Sequence, residues 1–255
     1  MRKRFGQHLL IDKGVAEREI TYAGVSKRDT VLEVGPGKGV LTKILAEKAK
    51  KVVAVEIDKR FVNYLKTTLP GNVEVIHGDV LKLDFTSMDS FNKVVANLPF
   101  QISSPFTFKL LRYPFFSKAV LIYQKQFAER MVAKPYSKKY SRLTVALYYR
   151  SCCRILETVP RSAFKPKPRV DAAIVEVTPR EKPPFKVRDE DFFFSLINLL
   201  FSQRRKHVGR VIRKKYGINI NATFSEKRVE ELTPEEIGML SNRVAEQLPS
   251  REQLF

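Results

Sequence analysis

The stretch TVLEVGPGKG at 30–39 decides how this chain folds. Thr30 to Val34 is a short apolar run, as a strand buried on both faces requires, and it stops at Gly35-Pro36-Gly37. Val40 to Lys50 then has helical spacing and a lysine-rich end, which the helix dipole favours. The alternation continues outward. Lys51 to Ile57 is a second buried-type strand, Arg60 to Thr68 a helix broken by Pro70-Gly71, and Val73 to His77 a third strand. Lys93 to Ala96 is a fourth, ending at Asn97-Leu98-Pro99-Phe100, Ala119 to Tyr123 a fifth, and Ile174 to Val177 a late one. Strands and helices of these lengths in alternation imply right-handed crossovers and a mainly parallel sheet.

Pro179 to Pro184 (PREKPP) reads as a linker, so residues 1–180 are expected to form one α/β domain and 181–255 a small helical one. In the latter, Asp191 to Phe201 is an apolar helix. Thr233-Pro234-Glu235-Glu236 has the form of a helix start, with a threonine cap and a glutamate three residues on.

The chain has 47 Lys and Arg against 27 Asp and Glu, a net charge of +20. Such a surplus suits a polyanion, because phosphates neutralised by cations release condensed counterions. No apolar run approaches the roughly 18 residues of a membrane-spanning helix, and the basic N-terminus lacks the apolar core of a signal peptide. Cys152 and Cys153 are adjacent, a poor geometry for a structural disulfide. They read as buried thiols of a reducing compartment, so a cytoplasmic protein without a membrane partner is expected; no metal site is read.

In an open parallel sheet, ligands bind beyond the carboxyl ends of the strands near the point where strand order reverses. Four features fall there. The glycines of GPGKG let the backbone turn and approach a ligand. Glu56 ends the second strand about 20 residues further on, where a carboxylate can accept from ribose hydroxyls. Asp79 ends the third strand and can accept from an adenine amine, and Asn97 ends the fourth. Singly, each feature has a plain structural explanation: a tight turn, a surface carboxylate, a helix cap. Together they favour an adenosine-containing cofactor. The loop is neither GxGxxG nor GxxxxGK[ST], which weakens the dinucleotide reading and removes the P-loop one.

Asn97-Leu98-Pro99-Phe100 carries the chemistry. An adenine amino nitrogen is a poor nucleophile because its lone pair is conjugated with the ring. The Asn97 side-chain carbonyl and the Leu98 backbone carbonyl can accept its two hydrogens and draw it toward tetrahedral geometry. Pro99 would stiffen the turn and hold Leu98 extended, and Phe100 would stack on the base and orient it toward an electrophilic methyl. A second aromatic, Phe164, heads Phe164-Lys165-Pro166-Lys167-Pro168-Arg169, an extended basic loop suited to an unpaired base beside phosphates; the plain alternative packs Phe164 inward.

GQHLL at 6–10, VLEVGPGKGVLT at 31–42, VEID at 55–58, HGD at 77–79, NLPFQISSP at 97–105, FKPKPRVDAAIV at 164–175 and FSQRRK at 201–206 together resemble the ribosomal RNA adenine dimethyltransferases. The short tail and high lysine content are similar to archaeal members. The resemblance implies a Rossmann-like class I methyltransferase with a mainly parallel seven-stranded sheet and a small C-terminal helical domain. It implies S-adenosylmethionine as cofactor, and dimethylation of two adjacent adenosines in a loop near the 3′ end of small-subunit rRNA, within an immature subunit. It further implies that His8, Leu10, Gly35, Gly37, Glu56, Ile57, Asp79, Val80 and Asn97 hold the cofactor, and that Asn97, Leu98, Pro99, Phe100 and Phe164 serve the target base. Position 8 is His where many bacterial members have Asn, and position 100 is Phe where Tyr is common. Lys165, Lys167, Arg169, Arg204, Arg205, Lys206, Arg210, Arg213, Lys214 and Lys215 are expected to bind RNA. A monomer is the default for an enzyme that docks on a ribosomal subunit.

Three other readings compete: a single-site methyltransferase of large-subunit rRNA, a DNA-adenine or protein-glutamine methyltransferase, and a non-catalytic assembly or transcription factor that keeps the fold. The second usually has a further proline where this chain has Leu98.

Overall fold

In the computed structural model, which describes residues 8–113 and 115–248, the apolar runs become neighbouring strands of one sheet. Before them come β1 (Leu9–Leu10) and α1 (Lys13–Ala23). The central units follow as β2 (Thr30–Val34), α2 (Val40–Lys48), β3 (Lys51–Glu56), α3 (Lys59–Thr68), β4 (Val73–His77) and β5 (Lys93–Asn97). Next are α4 (Ser103–Leu111), β6 (Lys118–Gln124), α5 (Lys125–Met131), α6 (Arg142–Arg150), β7 (Ser151–Val159), β8 (Phe164–Lys165) and β9 (Ala172–Pro179). The tail holds α7 (Glu190–Ser202), α8 (Val208–Tyr216), α9 (Ala222–Ser225) and α10 (Pro234–Gln247).

The seven-stranded sheet has the order β4-β3-β2-β5-β6-β9-β7. The pairings from β4 through β6 are parallel, and β9 runs antiparallel to β6. Strand order reverses between β2 and β5, which opens a crevice beyond their carboxyl ends. A separate two-stranded sheet pairs β1 with β8, Leu9 opposite Lys165 and Leu10 opposite Phe164. Val31, Val52, Val95, Val120, Ile122 and Ile174, from five strands of the sheet, are fully buried in its core. Each such side chain contributes roughly 1.5–3 kcal/mol on leaving water.

The helix signals are met at atomic level. Asp12 caps α1 by accepting from the Val15 amide, and Gly24 ends it with φ 60°. Thr233 caps α10 by accepting from Glu236, whose carboxylate reaches back to the Thr233 amide at 2.8 Å.

The chain divides into two compact units, one running through Glu129 plus Cys152–Pro179, the other Arg130–Ser151 plus the chain from Arg180 onward. Residues 130–151, placed in the first domain by the sequence reading, thus group with the tail. The reason is aromatic packing: Tyr149, on α6, lies 5.0–5.1 Å from the rings of Phe193 and Phe185. Cys152 is also exposed rather than buried, because β7 edges the sheet and alternation turns it outward; Cys153 is half-buried, and burial pushes its thiol up to about 12. Among the described residues no helix is long and apolar enough to cross a membrane.

Candidate functional site

The carboxyl ends of β2, β3, β4 and β5 gather the acidic, glycine and amide residues of the sequence motifs. Gly35, Gly37 and Gly39 all have left-handed φ angles, 70°, 56° and 75°. At Gly37 the requirement is double, since a Cβ there would stand 2.6 Å from Leu9 Cδ2. The turn is tied to β3: the Gly35 amide donates to the Val55 carbonyl at 2.9 Å, and the Gly37 amide donates to Glu56 Oε2 at 3.0 Å.

Glu56 is 1% exposed, and its Oε1 accepts from the Asp58 amide at 2.9 Å. Burial raises its carboxyl above the ordinary range, against the opposing pull of the Asp58, Gly37 and Ile57 amides. Three amide donors on a carboxylate's roughly four lone-pair sites leave one acceptor position. Glu56, Gly35, Ile57, Gly78, Asp79 and Val80 line one cavity, together with Pro99, Gln101 and Ile102. Ile57 is 42% exposed there, an apolar side chain laid open beside two carboxylates. Asp79 accepts from the Leu81 amide through Oδ1 at 3.0 Å and lines the same cavity.

A second cavity is lined by Leu9, Leu10, Glu33, Gly35, Lys38 and Asn97, among others. The Asn97 amide nitrogen donates to the His8 carbonyl at 3.0 Å, while Oδ1 is buried without a hydrogen-bond partner. A buried acceptor left unmet is unfavourable, and this one ends β5 at the sheet's reversal point. Pro99 is extended, with φ −55° and ψ 123°, and starts the short 3₁₀ turn Phe100–Ile102. Leu98 is 1% exposed, an apolar anchor beneath the turn. Phe100 is half-buried with its ring centroid 5.6 Å from that of His8, whose Nδ1 hydrogen-bonds to the Pro166 carbonyl.

Phe164 departs from the stacking role. It is 2% exposed and belongs to the main core, because antiparallel pairing with Leu10 turns it inward, as the plain alternative had it. Lys165, Lys167 and Arg169 beyond it are exposed. Glu33 was missed by the sequence reading. A carboxylate inside an otherwise apolar strand is the signal that would have found it, since a buried charge needs a reason.

The second unit carries its own basic surface. Arg205, Lys206, Arg210, Arg213, Lys214 and Lys215 are exposed. Arg204 differs: it is half-buried, paired with Glu230, and donates to the carbonyls of Ser137 and Lys138 at 2.8 Å each. Its guanidinium is occupied by the protein's own loop rather than presented to phosphate.

The profile of the Ribosomal RNA adenine dimethylase family matches residues 1–246. The chain belongs to that family. Within it, "Probable ribosomal RNA small subunit methyltransferase A" of Methanosarcina acetivorans is 47% identical over 251 residues, spanning 93% of this chain and 91% of the relative. The like-named protein of Thermococcus onnurineus is 42% identical over 91% of this chain and 88% of its own. Among solved structures, a dimethyladenosine transferase from Plasmodium falciparum superposes with a TM-score of 0.80 at 30% identity, covering 93% of this chain and 98% of that one. The 23S rRNA methyltransferase ErmE superposes with a TM-score of 0.68 at 27% identity, covering 93% and 99%. The adenine dimethylase fold is therefore that of the class I methyltransferases, with helices around a mostly parallel seven-stranded sheet.

Proposed function

We propose that this chain is an S-adenosylmethionine-dependent rRNA adenine N6-dimethyltransferase. It acts on two adjacent adenosines in a loop near the 3′ end of small-subunit rRNA, within an immature subunit, as a cytoplasmic monomer. The observation that carries this reading is the buried, unpartnered Asn97 Oδ1 at the end of β5. An acceptor held in place by its own amide group, and given nothing to accept, is preorganised for an incoming N–H.

The residues fit the cofactor. Glu56 has a remaining acceptor position for the ribose, Asp79 a free oxygen for an adenine amine, and Ile57 and Val80 apolar surface for the base. Gly35 and Gly37 allow the backbone to approach closely, and His8 and Leu10 close the neighbouring cavity through β1 and the Asn97 contact. Bound S-adenosylmethionine supplies a methyl carbon made electrophilic by its sulfonium. The Asn97 Oδ1 and the Leu98 carbonyl draw the two amine hydrogens of the target adenine and localise the nitrogen lone pair. Phe100 stacks on that adenine, and Pro99 fixes the turn between them. No strong base is needed, because the amine proton becomes acidic once the nitrogen carries its new methyl and leaves to solvent. Lys165, Lys167 and Arg169 take phosphates beside the flipped base, and the exposed cations of α8 take others in the second unit.

The test is transfer of labelled methyl groups to undermethylated small ribosomal subunits, followed by nucleoside analysis. Label in dimethyladenosine is the expected result. Label only in monomethyladenosine points to the single-site enzymes, and no label despite tight subunit binding points to an assembly factor.

A further inference from the structure

The second unit contains a loop whose conformation its packing does not explain. Lys134-Pro135-Tyr136-Ser137-Lys138-Lys139 joins α5 to α6, and Tyr136 has φ 65°. It is the one non-glycine residue with positive φ among the described residues. That region is unfavourable for a side chain with a Cβ and persists only where surrounding structure enforces it. Here the enforcement is visible. The Tyr136 amide donates to the Glu230 carbonyl at 2.7 Å, and Ser137 donates to the Lys134 carbonyl at 3.2 Å. Arg204 holds the Ser137 and Lys138 carbonyls at 2.8 Å each and is itself anchored on the Glu230 carboxylate.

The outcome is an aromatic ring that packs against little: Tyr136 is 73% exposed, the most exposed large hydrophobic side chain among the described residues. Folding alone would favour a buried ring or a glycine at such a position. The ring is flanked by the exposed lysines 134, 138 and 139. Beside the loop, a cavity of about 350 Å³ is lined by Arg130, Arg142 and Arg204, of which Arg204 is held by Glu230 and the loop carbonyls and Arg142 donates to Asn198 Oδ1 at 2.8 Å.

We infer that Tyr136 is a stacking platform for an unpaired RNA base, with the flanking lysines taking the adjoining phosphates. Aromatic rings with interleaved cations are the means by which proteins hold single-stranded nucleic acid, since every base offers a π-face. Arg204 acts as the positioning residue that keeps the ring outward. The inference rests on the RNA-directed reading of the enzyme and adds to it a base-binding site in the second unit.

The chain contains no tryptophan, so Tyr136→Trp makes a single-tryptophan protein whose emission reports on this position alone. The probe is a 12-nucleotide oligoadenylate, titrated at two salt concentrations. Quenching of the Trp emission over the same range in which the strand binds is expected. Tyr136→Gly, which suits the positive φ, should leave the thermal midpoint unchanged or raised while weakening strand binding roughly 5- to 150-fold, the effect of losing one stacked base. Wild-type binding that Tyr136→Gly leaves within twofold, or Trp emission unmoved by a bound strand, overturns the inference. So does unchanged strand binding with lost binding to ribosomal subunits, which would make the ring a protein contact. If the wild-type chain binds no strand at either salt concentration, the inference fails, while methyl transfer to subunits decides the RNA-directed reading separately.

Discussion

Replacing Glu33 by glutamine tests the electrostatics of the cofactor cavity through stability, without any ligand. Glu33 lies inside β2, 2% exposed, with Oε2 buried and without a hydrogen-bond partner. Burial drives its carboxyl from the ordinary 4.5 up to about 8; the Thr42 hydroxyl opposes this and Glu56 adds to it. In the unfolded chain the same group titrates in the ordinary range. Between about 4.5 and about 8 the folded protein therefore holds a proton that the unfolded chain has released, and stability falls as pH rises through this window. Below the window both states are protonated and above it both are ionised, so the curve levels off at either end. At about 1.4 kcal/mol per pH unit of separation, the fall amounts to about 5 kcal/mol.

Glutamine has the same shape and never ionises. Glu33→Gln should match the wild type near pH 4 and exceed it by up to about 5 kcal/mol near pH 9, roughly 10–20 °C in thermal midpoint for a chain of this size. Glu19 adds to the difference. It is fully buried on α1, its carboxyl is pushed well up by burial and then by Glu33, and it ionises more easily once that neighbour is uncharged. The assay is thermal unfolding of both proteins across this pH range. Midpoints that run parallel at every pH would show that Glu33 carries no raised affinity for its proton, and the argument from burial would fall.

Three further outcomes follow from the geometry. Asn97→Ala should lower methyl transfer at least about 100-fold, the loss associated with removing one preorganised polar group, while subunit affinity in a filter assay stays the same; a parallel loss of affinity would remove Asn97 from the chemistry. Gly37→Ala should lose roughly 1–2 kcal/mol from its left-handed φ and displace Leu9, read as a lower thermal midpoint with weaker S-adenosylmethionine binding by calorimetry. In the second unit, Gly238→Ala sets a methyl 2.4 Å from the Phe185 ring and should cost about 1–3 kcal/mol in urea unfolding.

What the sequence determined by itself is what local periodicity and short motifs encode. The strands from β2 to β6 carry their apolar runs in the chain, and Gly35-Pro36-Gly37, Gly78 and Pro99 mark where β2, β4 and β5 give way, so the alternation and the parallel sheet were readable. The chain positions of Glu56 and Asn97 at the ends of β3 and β5, and of Asp79 two residues after β4, follow from where those runs stop; the roles given to them remain proposals. The family motifs extended this to the whole chain, and the match over residues 1–246 agrees.

Tertiary structure decided whatever depends on partners distant in sequence. Phe164 followed by two lysines and two prolines looks exposed, but its pairing with Leu10, over 150 residues earlier, buries it. Residues 130–151 look like part of an α/β domain, yet the aromatic face of α6 finds its partners at Phe185 and Phe193. Arg204 sits in a basic run that reads as phosphate-binding, and only the fold brings Glu230 and two loop carbonyls to its guanidinium. Tyr136 gave no signal, because φ and exposure at a loop position are imposed by those same distant bonds. Period and composition are properties of neighbours along the chain, whereas the burial of a ring and the partner of a charge are fixed by which segments the core draws together.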